Sequence, residues 1–104
     1  MDLNEYQHAA QAHAIYGAHQ TTDIGGLTYA VLALCGESGE LANKLKKHLR
    51  AGTPPNTDVL ADELGDVLWY VSAVAKELGW TLEMVADYNL DKLAARKAQK
   101  QVTG

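Results

Sequence analysis

Residues 51–57 read AGTPPNT. Proline has no amide hydrogen and clashes with the preceding helical turn, so two in a row at 54 and 55 end any helix that reaches them. Long stretches with apolar residues at helical spacing lie on both sides. Leu27, Val31, Leu34, Leu41 and Leu45 form one stripe, and Leu60, Leu64, Val67, Val71, Val74 and Leu78 form the other. Helices joined by short loops of this kind suggest a bundle, in which the two stripes can face each other. The spacing predicts helices over about 26–50 and 57–78, with Asn56 or Thr57 as the second cap and Gly79 as its stop.

Two further helices flank this pair. One is expected over about 2–16, with Asp2 and Glu5 as a capping box. The loop HQTTDIGG (19–26) follows it. The other is expected over about 82–100, with Thr81 as cap, Glu83 in its first turn, and Lys97 and Lys100 near its end. No segment alternates with period two, so strands are not expected. The 104 residues form one domain, 1–104, all-α and bundle-like. Such a chain buries only a modest core, so oligomerisation through helix packing is expected.

The net charge of −4 argues against a nucleic-acid polymer as partner. No apolar run is long enough to cross a membrane. The polar, acidic start MDLNEYQH has no leader character, so a cytoplasmic location is expected. The single cysteine, Cys35, excludes an internal disulfide and sits in an apolar stretch, where an inert packed thiol is expected.

The chemistry gathers in GESGEL (36–41) and ELGDVLWYV (63–71). At about 100° per residue, Glu37 lies about −60° from Leu34 and Glu40 about −120°; Glu63 and Asp66 stand in the same relation to Leu60. Each helix thus carries an acid pair that starts at the edge of its apolar stripe. Antiparallel packing would bring four carboxylates to one flank. A single E-x-x-E is ordinary solvated surface. Four convergent carboxylates call for protonation or a hard cation, Mg²⁺, Mn²⁺ or Ca²⁺. Gly36, Gly39 and Gly65 adjoin the acids, although interior glycine costs a helix about 0.5–1 kcal/mol. Room for a metal and its ligand would account for them. Neither acid segment carries the Glu-x-x-His pair that a di-iron bundle needs.

These segments, with NLDKLAAR (89–96), resemble the MazG-like nucleotide pyrophosphohydrolases of the all-α NTP pyrophosphatase superfamily. The family pattern of E-x-x-E, spacer and E-x-x-D falls on Glu37, Glu40, Glu63 and Asp66, and its late Asn, Lys and Arg on Asn89, Lys92 and Arg96. The resemblance implies hydrolysis of nucleoside triphosphates, often deoxy or non-standard, to monophosphate and pyrophosphate. It also implies Mg²⁺, with Mn²⁺ as a substitute, and a homodimer or homotetramer whose active site a neighbouring subunit completes.

In that scheme the four acids hold the metal and either Glu37 or Glu40 is the general base. Lys92, Arg96 and Asn89 contact the nucleotide. Lys44 stands four residues after Glu40, where a helix ion pair competes with a phosphate contact. Tyr16, Tyr29, Trp69, Tyr70, Trp80 and Tyr88 are open to either core packing or a base slot. Trp69 lies opposite its helix's stripe and should pack on another helix or subunit. Rival readings are phosphoribosyl-ATP pyrophosphohydrolysis and a non-catalytic helical regulatory module with a structural metal. Metal storage is a third, disfavoured by the lack of histidine ligands.

Overall fold

The computed structural model describes residues 1–15 and 24–103, with side chains from Gly25 and up to Lys100. Four helices follow one another: α1 Leu3–Gln11, α2 Ile24–Ala51, α3 Thr57–Glu77 and α4 Leu82–Thr103. Among the described residues there is no strand. Residues 16–23, including Tyr16 and most of the expected loop 19–26, lie outside them. Ile24, Gly25 and Gly26, expected in that loop, instead form the first turn of α2. The first helix stops at Gln11 rather than near residue 16.

Local signals in the chain set the helix ends. Asp2 Oδ1 accepts the Glu5 N–H at 2.8 Å, and Glu5 Oε1 accepts the Asp2 N–H at 3.4 Å, closing the capping box. Asn56 Oδ1 caps α3 by accepting from the N–H groups of Asp58 and Val59. Two glycines take positive φ, Gly52 at 69° and Gly79 at 77°. Each follows a helix in a Schellman turn: Thr53 N–H donates to His48 O and Gly52 N–H to Leu49 O, as Trp80 does to Ala75 O and Gly79 to Lys76 O. The proline turn is held from within. Asn56 N–H donates to His48 Nε2 at 3.3 Å, leaving Nδ1 to pair with Thr53 Oγ1 at 3.1 Å.

Helices α2 and α3 pack together as a hairpin, and α3 is the hub of the fold. Among the described residues, α1 and α4 pack on α3 and on each other, whereas α2 meets α3 alone. The innermost residues are small: Ala30 of α2 and Ala73 of α3 are fully buried, with Ala14, Trp69, Tyr70 and Val74 around them. Ser72 is fully buried too. Small side chains at a crossing let the backbones approach closely. The expected leucine and valine stripes are only partly covered. Leu64 is 56% exposed, Leu78 54% and Leu45 47%. Among the described residues only α3 lies against the α2 stripe, which leaves part of it open.

Polar residues join α1 to the rest. Gln7 is buried; its Nε2 donates to Ser72 O and Trp80 O, and its Oε1 accepts the Leu82 N–H at 3.0 Å. Asn4 Oδ1 accepts the Glu83 N–H, and Thr81 Oγ1 accepts the Met84 N–H. Two amides of α1 and one threonine thus satisfy the amide groups that open α4. Trp69 packs on α1, as its phase required, donating from Nε1 to Ala10 O at 3.1 Å.

Candidate metal centre

The α2–α3 crossing brings three of the four acids together. One carboxylate oxygen each from Glu37, Glu63 and Asp66 lies within 4.8 Å of the others. Glu37 and Glu63 are half-buried and Asp66 is exposed. Glu40 is exposed, one turn further along α2, and stands outside this group of three. Its charge is still felt there. The Glu37 carboxyl is held above its ordinary range by desolvation first, then by the charges of Asp66, Glu63 and Glu40. Like charges this close disfavour a second ionised group.

A divalent cation reverses that penalty. Three carboxylate oxygens within reach of one another, with no sulfur or imidazole among them, suit a hard ion that prefers oxygen. The donor set therefore fits Mg²⁺ or Mn²⁺ on chemistry and spacing alike.

The glycines need another account. Among the described residues, a Cβ added at Gly36, Gly39 or Gly65 would meet no atom within 4 Å. The described residues therefore do not require glycine there.

A cavity of about 340 Å³ opens beside the acids, lined by His13, Ile15, Glu37, Asp66, Trp69 and Tyr70. Trp69 and Tyr70 meet edge to face, with ring centroids 4.9 Å apart. The Tyr70 hydroxyl is raised above its ordinary pKa by desolvation first, then by Tyr29 and the Glu37 and Asp66 charges. Tyr6 is raised in the same way, by desolvation and then by Asp66. Of the six aromatics considered from the sequence, Trp69 and Tyr70 therefore flank the acids directly, with Tyr29 against Tyr70. Trp80 and Tyr88 pair elsewhere, centroids 5.7 Å apart.

Tyr6, His13 and Ile15 are additions that the sequence did not mark. They stand on or just after α1, far along the chain from both acid pairs, and no spacing rule links them. The cationic residues are not gathered here. Lys92, Arg96 and Asn89 are exposed on α4, and none lines the cavity. Lys44 is half-buried on α2, and no ion pair joins it to Glu40. Cys35, expected to be packed, is exposed, because α2 is covered along one side only.

Comparison with known proteins adds an independent finding. Residues 27–100 match the family model described as the MazG nucleotide pyrophosphohydrolase domain. The chain is 45% identical to the Gene 37 protein of Mycobacterium phage L5 over 109 residues, spanning all of this chain and 96% of that protein. No solved structure matches.

Proposed function

The chain belongs to the MazG nucleotide pyrophosphohydrolase family, and we propose that it hydrolyses nucleoside triphosphates, deoxy or non-standard ones among them, to monophosphate and pyrophosphate. The observation that carries this reading is the Glu37, Glu63 and Asp66 group beside an aromatic cavity. Glu37, Glu63 and Asp66, with Glu40 one turn away, would hold Mg²⁺ or Mn²⁺. Bound there, the metal supplies charge neutralisation for the polyphosphate and acidifies a water.

This chain's own residues supply the rest. Either Glu37 or Glu40 takes the proton of the attacking water. Trp69 and Tyr70 give the apolar wall on which a base rests. Lys92 and Arg96, four apart on one face of α4, offer cations to the departing pyrophosphate, and Asn89 offers an amide to the nucleotide. Lys44, without Glu40 as a partner, is a further phosphate contact.

Reaching one site with these α4 residues calls for a second copy of the chain. The accessible surface is 7454 Å², about a third more than the ~5,700 Å² expected of a folded monomer of this mass. The radius of gyration is 16.9 Å, against about 13 Å for a compact chain of this length. Leu32, Leu49, Leu90 and Tyr88, each more than 60% exposed, are the kind of surface that a homodimer or homotetramer covers. No helix among the described residues is long and apolar enough to cross a membrane.

The test is pyrophosphate release from a panel of ribo- and deoxynucleoside triphosphates with Mg²⁺, beside a Glu40→Gln control. Release that the control abolishes supports the reading. Metal uptake by calorimetry with no turnover on any nucleotide rejects it in favour of a regulatory module.

A further inference from the structure

The cavity beside the acids has one wall that the proposed reaction leaves unused. His13 and Ile15, just beyond the end of α1, line it together with Glu37 of α2 and Asp66, Trp69 and Tyr70 of α3. The other polar groups on that lining are already engaged. Glu37 and Asp66 belong to the acid group. The Trp69 indole has a single N–H, which goes to Ala10 O at 3.1 Å. A side-chain hydrogen bond joins Tyr70 to Tyr29. The His13 imidazole is exposed and has no hydrogen bond or ion pair among the described residues. It does not join the acid oxygens either.

The chain fixes where His13 stands. Ala10 O accepts both the Trp69 indole N–H and the His13 backbone N–H, each at 3.1 Å. The His13 backbone and the Trp69 ring are therefore tied to one oxygen, on the aromatic side of the cavity. Gln11 Nε2 donates to Ser72 Oγ at 2.8 Å, and the Ser72 hydroxyl donates to Trp69 O at 2.6 Å, which holds the same end of α1 on α3. A neutral imidazole offers one donor and one acceptor. A base resting on Trp69 brings its edge to this end of α1, and the bases differ in the donors and acceptors that their edges carry.

We propose that His13 is a specificity-determining residue of this site and hydrogen-bonds the edge of the nucleobase that rests on Trp69 and Tyr70. That the ligand is a nucleotide rests on the function proposed above. Which base is accepted is decided at the end of α1, where Ile15 adds an apolar contact beside His13.

The experiment has two readouts on the full chain. One is kcat/KM for pyrophosphate release from the four deoxynucleoside triphosphates with Mg²⁺. The other is their equilibrium binding with Ca²⁺ in place of Mg²⁺, followed by Trp69 fluorescence in Trp80→Phe, with calorimetry on the unaltered chain should that variant not fold. His13→Ala should lower kcat/KM and affinity for the preferred base roughly three- to tenfold, the effect of one hydrogen bond, and leave the poorest base nearly unchanged. His13→Gln, which keeps a donor and an acceptor, should recover part of the preference. The position is exposed, so thermal unfolding should be the same in both variants. Equal handling of the four bases by the unaltered chain, an equal loss on all of them in His13→Ala, or no loss on any overturns the proposal. Turnover with a base preference that His13→Ala leaves unaltered removes this inference alone. Base-dependent binding that His13→Ala flattens, without turnover, keeps the inference and removes the hydrolase. No binding and no turnover of any nucleotide at millimolar concentration removes both.

Discussion

Replacing Gly39 with alanine separates what the α2 glycines cost from what they permit. Gly39 lies in the interior of α2, at ordinary helical φ, and a Cβ there has nothing within 4 Å among the described residues. No clash offsets the gain in helix propensity, so the folded protomer should gain about 1 kcal/mol. For a domain of this size that is a rise in Tm of roughly 4–8 °C. The same methyl group enters the space beside Glu40 that a metal-bound polyphosphate would occupy. The expected result is therefore a more stable protein with markedly lower pyrophosphate release. Thermal and urea unfolding should be followed at several protein concentrations, because a second copy makes Tm depend on concentration. A fall in stability refutes the reasoning, since it means another surface already lies against Gly39. Raised stability with full turnover refutes the other half, that glycine is there to leave room for ligand.

Three further outcomes follow from the geometry. Mg²⁺ at about 100 times its Kd should stabilise the protein by about 2.7 kcal/mol, and Glu63→Gln should remove most of that shift in differential scanning calorimetry. Glu37 has a raised pKa in the fold, so between its ordinary value and that raised value the native state holds more protons than the unfolded chain. The metal-free protein should therefore gain stability from this group as pH falls through the raised pKa, and Glu37→Gln should abolish the gain; Mg²⁺ affinity by calorimetry should drop over the same window, because proton and metal compete. Gln7→Ala leaves the Leu82 N–H and two carbonyls without their partner; it should cost about 2–4 kcal/mol in urea unfolding, while Gln7→Glu retains only the acceptor and recovers part of it.

The sequence by itself determined where α1 starts, where α2 breaks and α3 begins and ends, and which faces carry acid. Capping, proline exclusion and glycine C-termini act over a few residues, so Asp2, Asn56, Pro54, Pro55 and Gly79 could be read directly. The common phase of Glu37 and Glu63 against their stripes is likewise a property of helical spacing, and it foretold their meeting across α2 and α3. Only the tertiary structure decided which face of each stripe was covered. Burial depends on partners in space, so Leu45, Leu64 and Leu78 match core residues in pattern yet remain open, while Ala30, Ser72 and Ala73 sit innermost because their size permits close approach. The polar joints were equally hidden. Gln7 and Gln11 look like solvated helix surface until α1 meets the α3–α4 turn, more than sixty residues further along the chain. Asp66 joined Glu37 and Glu63 while Glu40 stayed apart, a difference set by the angle at which two helices cross, which no spacing along one chain specifies.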